Sequence, residues 1–374
     1  MGRKRIVVKI GSSSLTNTKG GLSTRKLTEH VAAIAKLREQ GYEVILISSG
    51  AVAAGFGYLG YPARPVTVAG KQAAAAVGQG LLVQAYTEAF KQYNVITSQL
   101  LLTRDVFINQ EQYSNVYNTL AELLKRSVIP IINENDSVAI DELTFGDNDM
   151  LSALVSGLIN ADFLILLTDI NGLYNGNPKT MPLAKRYDIL PEITEAILQQ
   201  TNNDSNSKFG TGGMKSKLMA SQTALSLGVH VFVGSGSGEE KLLDIVNGTG
   251  DGTYIGDDHT QSLRKQKQWI AFHSSIAGKI IIDHGAEQAI THAGKSLLPA
   301  GISHIEGSFD TGAVVEITNM DGQTIAKGQV NYSSDDILLI KGKLSSEAMR
   351  QTNRPRPEVI HRDRLVLSLK EVIQ

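Results

Sequence analysis

The chain alternates short apolar runs with longer stretches in which apolar residues recur at helical spacing. Ile6 to Ile10 reads as a buried strand, and Leu27, Val31, Ile34 and Leu37 then line one face of a helix that Gly41 stops. Val44 to Ile47 is the next strand, Ala73 to Phe90 an alanine-rich helix, and Val128 to Ile132 another strand. Leu151 to Ile159 reads as a helix, Phe163 to Leu167 as a strongly apolar strand, Met214 to Leu227 as a helix and Val229 to Val233 as one more strand. Strands separated by helices of this length need crossover connections. They predict parallel βαβ units and a three-layer α/β/α sandwich around a mainly parallel sheet. Ligands of such sheets bind at the carboxyl ends of the strands.

The pattern changes between Gly256 and Ser275, where Asp257, Asp258 and the run Arg264-Lys265-Gln266-Lys267 read as a solvated connector. Beyond it, Lys279 to Ile282, Ala313 to Ile317 and Ile337 to Ile340 read as short strands punctuated by Gly301, Gly307, Gly312, Gly322 and Gly342. The expected organisation is a first domain over 1–258, a linker over 259–275, a small β-rich domain over 276–354 and a C-terminal extension over 355–374.

Composition narrows the chemistry. A length of 374 residues suits two domains with separate cores, and 42% hydrophobic with 20% charged residues excludes a disordered or fibrous chain. With 36 basic and 37 acidic side chains the net charge is −1, which gives no general attraction to nucleic acid or an anionic membrane. The region from Ser275 onward is equally balanced, with 11 basic and 12 acidic residues. Cysteine is absent, which excludes disulfides, thiolate-bound metals and cysteine nucleophiles. The eight histidines are scattered without metal-ligand spacing. No run reaches the ~18 apolar residues of a membrane span. Near the N-terminus, Ile6, Val7 and Val8 meet Lys9 too soon to form a signal-peptide core, so a cytoplasmic protein is expected.

Two glycine strings mislead. Gly55-Phe-Gly57-Tyr-Leu-Gly60 matches a dinucleotide fingerprint, but it does not directly follow a strand and no acidic residue lies between Val44 and Thr87 to hold a ribose. Gly294-Lys295-Ser296 ends like a P-loop, yet Ala289 stands where the leading glycine belongs. Glycines in turns account for both.

Three other segments sit at strand or helix ends. Lys9-Ile-Gly11-Ser12-Ser13-Ser14 closes the first strand with a cation and a turn whose backbone N–H groups can cradle phosphate. Ser48-Ser49-Gly50 ends the next strand and opens a helix. Gly210-Thr211-Gly212-Gly213-Met214-Lys215-Ser216-Lys217 is a glycine-rich turn running into a helix, with two lysines where the helix dipole disfavours cations unless an anion or solvent compensates. Asn133-Glu134-Asn135-Asp136 follows a strand, and Gly146-Asp147-Asn148-Asp149 precedes a helix. A single Asp there would be a plain N-cap, but two clusters of amides and carboxylates can hold an α-amino and an α-carboxylate group. Leu167-Thr168-Asp169 ends an apolar strand at the sheet edge, where a nucleotide would lie.

Taken together and in this order, these motifs resemble the amino-acid kinase family, and within it the branch that phosphorylates glutamate. The second domain resembles the PUA module, so the likeness spans nearly the whole chain. It implies transfer of the γ-phosphoryl group of ATP, with Mg2+ bound mainly through the ATP phosphates and water, to the side-chain carboxylate of L-glutamate, the first step toward proline. It also implies that Lys9, Lys217 and Asp149 are catalytic, and that Ser49, Asn133, Asp136, Asp147 and Asn148 hold glutamate. ATP would meet Lys9, Gly11, Ser12, Thr168, Asp169, Thr211, Gly212, Gly213, Met214, Lys215, Ser216 and Lys217, and no role for Lys215 is evident. Further expectations from the likeness are a homo-oligomer, feedback inhibition by proline and a glutamyl-phosphate reductase as functional partner. Alternatives left open are a related kinase acting on N-acetylglutamate or aspartate, an RNA-binding protein carrying a PUA module, and a non-catalytic amino-acid sensor.

Overall fold

The computed structural model describes residues 4–138, 148–176, 181, 183–200, 213–256, 270, 274, 276–291, 293–343, 345–352 and 357–367. The chain divides into two compact units, Met1–His259 and Thr260–Gln374. The expected linker 259–275 lies outside the described residues apart from Ile270 and Ser274, as do 355, 356 and 368–374 of the C-terminal extension.

In the first unit the strands β1 (Arg5–Ile10), β2 (Glu43–Ser48), β3 (Thr97–Leu102), β4 (Ile129–Glu134), β5 (Phe163–Leu167), β8 (Ile189–Leu190), β9 (His230–Gly234) and β10 (Gly252–Ile255) form one sheet in the order β3-β4-β2-β1-β5-β9-β10-β8. The short strands β6 (Leu173–Tyr174) and β7 (Arg186–Tyr187) form a separate antiparallel pair. Every pairing in the large sheet is parallel except β9 with β10. The parallel sheet inferred from the alternation is therefore present, with one antiparallel step toward its far edge.

Alternation along β1 decides what each face of the sheet does. Ile6, Val8 and Ile10 are buried in a core with Leu27, Val31, Ile34 and Leu37 of helix α1 (Thr24–Glu39) and with Leu82, Tyr86 and Phe90 of helix α3 (Val68–Lys91). Val7 and Lys9 consequently face the other side. There α6 (Asn148–Leu158) packs on β1 and β5, and α8 (Met214–Ser226) packs on α6 and β9. A lysine in a buried strand thus arrives on the face covered by α6 and α8, one residue before β1 ends at the sheet's carboxyl edge.

Helix α3 is drawn close to the short helix α2 (Ala51–Gly55) by glycine. A Cβ on Gly78 would stand 1.8 Å from the Ala51 carbonyl oxygen, and one on Gly55 would stand 2.0 Å from that of Ala74. Gly55 of the GxGxxG string is therefore a helix-packing residue rather than a turn residue, whereas Gly60 does turn the chain at φ +74°. Gly50, at φ +112°, leads β2 into α2 in a left-handed conformation that a side chain would strain.

The second unit holds a five-stranded sheet built from β11 (Ile276–Ile282), β12 (Ile302–Glu306), β13 (Val314–Thr318), β14 (Thr324–Gln329) and β15 (Leu365–Leu367) in the order β12-β11-β13-β14-β15. Ile280, Ile317, Ile325, Tyr332 and Ile360 are among its buried core. Ile337 to Ile340, expected as a strand, lies in a helix (Ser334–Ile340). The Ser333 side chain accepts from the Asp336 N–H while Asp336 accepts from the Ser333 N–H. This capping box commits the segment to a helix whatever its run of apolar residues prefers. The edge strand β3 was also missed, because Thr97, Ser98 and Gln99 break the apolar pattern.

His30 of α1 gives the first unit a built-in pH response. Its Nε2 lies 3.1 Å from the Ser14 carbonyl oxygen, and burial, reinforced by the Lys241 charge, pulls its pKa down from 6.5 to about 4. Unfolded chain takes up the proton near 6.5 and folded chain only near 4, so across this window each step down in pH favours unfolding. His30→Gln is expected to flatten the dependence of urea-unfolding free energy on pH between 6.5 and 4. A variant that keeps the wild-type slope would assign the response to other groups.

Candidate active site

The polar segments converge on the carboxyl edge of the large sheet, as side-by-side parallel strands require. Lys9 comes from the end of β1, Ser49 from just past β2, Asn133 from the end of β4 and Thr168 from just past β5. Asn148 and Asp149 open α6, and Ser216 and Lys217 lie in the first turn of α8.

The centre is an ionic trio. Lys9 Nζ lies 2.5 Å from Asp149 Oδ1, and Lys217 Nζ lies 3.0 Å from Asp149 Oδ2. The single hydrogen of the Ser216 hydroxyl has two acceptors within reach, the same Oδ2 at 3.2 Å and the Gly213 carbonyl at 3.0 Å. Side-chain exposure is 5% for Lys9, 10% for Lys217 and 0% for Asp149. Burial works to raise the Asp149 carboxyl pKa, but the charges of Lys9 and Lys217 and their hydrogen bonds outweigh it and hold the group down at about 2. Asp149 is therefore an anion at any physiological pH, committed to orienting two cations. The trio carries a net charge of +1 at a place shielded from water, where Coulombic attraction to a further anion is strong.

Beside the trio runs a chain of uncharged polar groups. Asn148 Nδ2 donates at 2.8 Å to Ser49 Oγ and at 2.8 Å to Asn133 Oδ1. Asn133 Oδ1 also accepts from the Glu134 N–H at 2.9 Å, and Asn133 Nδ2 donates to Gln79 Oε1 of α3 at 2.8 Å. The structure thus brings Ser49, Asn133 and Asn148 together, and it adds Gln79, which sequence reasoning missed. It is one of three glutamines in the alanine-rich α3, with Gln72 and Gln84, and nothing local singles it out.

The remaining candidates are more dispersed. Asp136 has no hydrogen bond to this chain among the described residues; burial raises its carboxyl pKa and the charge of Arg64, a second residue the sequence reading missed, opposes the rise. Thr168 donates its N–H to the Gly234 carbonyl at 2.9 Å and its hydroxyl to Asp169 at 3.2 Å, which keeps both at the β5 edge. Gly11 and Ser12 follow Lys9 into a 3₁₀ turn (Ser12–Ser14), Gly213 caps α8, and beyond it Met214 is half-buried while Lys215 is exposed. Asp147, Thr211 and Gly212 lie outside the described residues.

A single anion buried with two cations implies a large penalty for its neutralisation. Asp149→Asn leaves two buried ammonium groups without their shared counter-charge and is expected to cost about 3–5 kcal/mol in urea unfolding. In the wild type the ionised state is favoured on folding. The stabilisation is complete above pH 3.8, the ordinary carboxyl value, and disappears as pH falls toward about 2. An unchanged unfolding midpoint in Asp149→Asn would contradict the burial of the trio.

Comparison with known proteins follows the same division of the chain. A model of the amino acid kinase family matches residues 4–235, and one of the PUA domain matches residues 278–351. Glutamate 5-kinase 1 of Bacillus subtilis (strain 168) is 61% identical over 363 residues, covering 97% of this chain and 98% of that protein. Glutamate 5-kinase of Bacillus cereus (strain G9842) is 57% identical over 366 residues, covering 98% of this chain and 100% of that protein. Among solved structures, carbamate kinase from Giardia lamblia bound to AMP-PNP superposes with a TM-score of 0.49 at 16% identity, covering 68% of this chain and 99% of that one.

Proposed function

This chain belongs to the amino acid kinase family and groups with its glutamate 5-kinases, and from that premise we propose how its site carries the reaction. The activity is ATP-dependent phosphorylation of the L-glutamate side-chain carboxylate, giving L-glutamyl 5-phosphate, the entry to proline synthesis. The observation that carries the mechanism is the pair of buried lysines held on one carboxylate at the sheet's carboxyl edge.

The chemistry explains that arrangement. A glutamate γ-carboxylate has a reference pKa of about 4.3 and is already ionised at neutral pH, so no protein base has to remove a proton. The barrier is the approach of one anion to another, and preorganised positive charge lowers it. Lys9 and Lys217 contact the transferring and leaving phosphates, with the Gly11 and Ser12 amides alongside. Asp149, kept anionic, holds both ammonium groups in place without acting as a base. Ser49, Asn133, Asp136, Asp147 and Asn148 hold glutamate. Thr168, Asp169 and the segment 211–217 hold ATP.

Magnesium suits this donor set as an ion carried by the nucleotide phosphates and water. The Asp149 oxygens are taken by lysines and Ser216, and the described residues contain no group of three carboxylate or imidazole ligands. When bound, it would neutralise part of the phosphate charge.

The catalytic domain spans 1–258 and the PUA-like domain 276–354, with 259–275 joining them and 355–374 following. No described helix is long and apolar enough to cross a membrane, which accords with a cytoplasmic enzyme. Assembly as a homo-oligomer, proline inhibition and a glutamyl-phosphate reductase as functional partner complete the reading.

Acyl phosphates react with hydroxylamine, so a hydroxamate assay with ATP and Mg2+ distinguishes the acceptors. L-glutamate is expected to give product, and N-acetylglutamate and aspartate little or none; the reverse preference would overturn the assignment. Lys217→Met is expected to lower kcat by roughly 10²–10³-fold with the fold retained by circular dichroism. Asp136→Ala is expected to raise the glutamate KM far more than the ATP KM, and equal rises would remove it from the glutamate site.

A further inference from the structure

The hydrogen bonds around Asn133 have a direction, and that direction begins at a group that cannot reverse. A backbone N–H only donates, so the 2.9 Å bond from the Glu134 N–H fixes the Asn133 oxygen on that side and its Nδ2 on the other. Nδ2 then needs an acceptor, and Gln79 Oε1 supplies it at 2.8 Å from the opposite element, α3. The same Asn133 oxygen takes one hydrogen of Asn148 Nδ2, and Ser49 Oγ takes the other. Asn148 has therefore used both of its donors. Its remaining polar atom, Oδ1, can only accept, and the Ser49 hydroxyl, already accepting, has its own hydrogen left to give.

We propose that Gln79 is a positioning residue that locks this polarity, so that Asn148 offers an acceptor to the substrate's ammonium group and Ser49 offers a donor to one of its carboxylates. The proposal rests on the reading that Ser49 and Asn148 hold glutamate. Gln79, Asn133 and Asn148 are each less than a tenth exposed, so water cannot freely replace a lost partner. If the Gln79 acceptor is removed, a buried Asn133 Nδ2 is left without one, and the amide turns to recover a partner at the expense of its bonds to Glu134 and Asn148. The close crossing of α2 and α3 at Gly55 and Gly78 puts the neighbouring Gln79 within reach of the end of β4. That gives a specific role to one of the three glutamines of α3.

The test uses the full chain and steady-state KM values for both substrates. Gln79→Met, similar in length but without the acceptor, is expected to raise the glutamate KM about tenfold while the ATP KM stays within about twofold. Gln79→Glu keeps an acceptor at the same place and is expected to recover at least half of that loss on a logarithmic scale. Gln79→Leu carries the same test if the Met variant does not fold. A wild-type glutamate KM in the Met or Leu variant, equal rises for both substrates, or a Glu variant as impaired as the Met variant would each overturn the proposal. Ser49→Ala separates the two levels of inference. If it raises the glutamate KM and Gln79→Met does not, the positioning role fails alone. If neither does, the assignment of this cluster to glutamate fails and takes the positioning role with it.

Discussion

The Asp149 carboxylate lies between two ammonium groups with almost no solvent around any of the three. Burying one charge alone would cost several kcal/mol, and burying two cations would cost more. Their common anion, brought in at the first turn of α6, makes the arrangement tolerable and still leaves one positive charge over. The sheet supplies the rest of the condition. Lys9 can reach that anion only because β1 is a central strand whose alternate residues face α6, and Lys217 only because α8 packs against α6.

A neutral hydrogen-bond chain from Ser49 to Gln79 lies beside the same helix start and is proposed to serve a different need. Charge attracts phosphate strongly but discriminates weakly among amino acids, whereas directional hydrogen bonds can demand an ammonium group at one point and a carboxylate at another. Asn148 and Asp149 are adjacent residues, so one helix terminus sets both the electrostatic centre and the neutral hydrogen-bond chain. The absence of cysteine and the scattering of the histidines fit a reaction in which the acceptor is already an anion and neither a protein nucleophile nor a base is required.

Much of this was legible in the sequence because the central strands are locally distinctive. β1, β2, β4, β5 and β9 each carry an apolar run long enough to be buried on both faces, and the polar residues that close them mark the site edge. Elements governed by side-chain hydrogen bonding or by edge position were less visible. The capping box at Ser333 turned an apolar run into a helix, and the polar start of β3 hid an edge strand. Gln79 and Arg64 had no motif to announce them. Gln79 meets Asn133, its partner 54 positions away, through the packing of α3 rather than through spacing along the chain.

Lys9 and Lys217, tied to one carboxylate, are proposed to act on the phosphoryl group as a unit. A double-mutant cycle in kcat for Lys9→Met and Lys217→Met measures this directly. Strong non-additivity is expected, with the double variant little slower than the slower single variant. Full additivity of the two losses would contradict it and would mean that the lysines contribute independently.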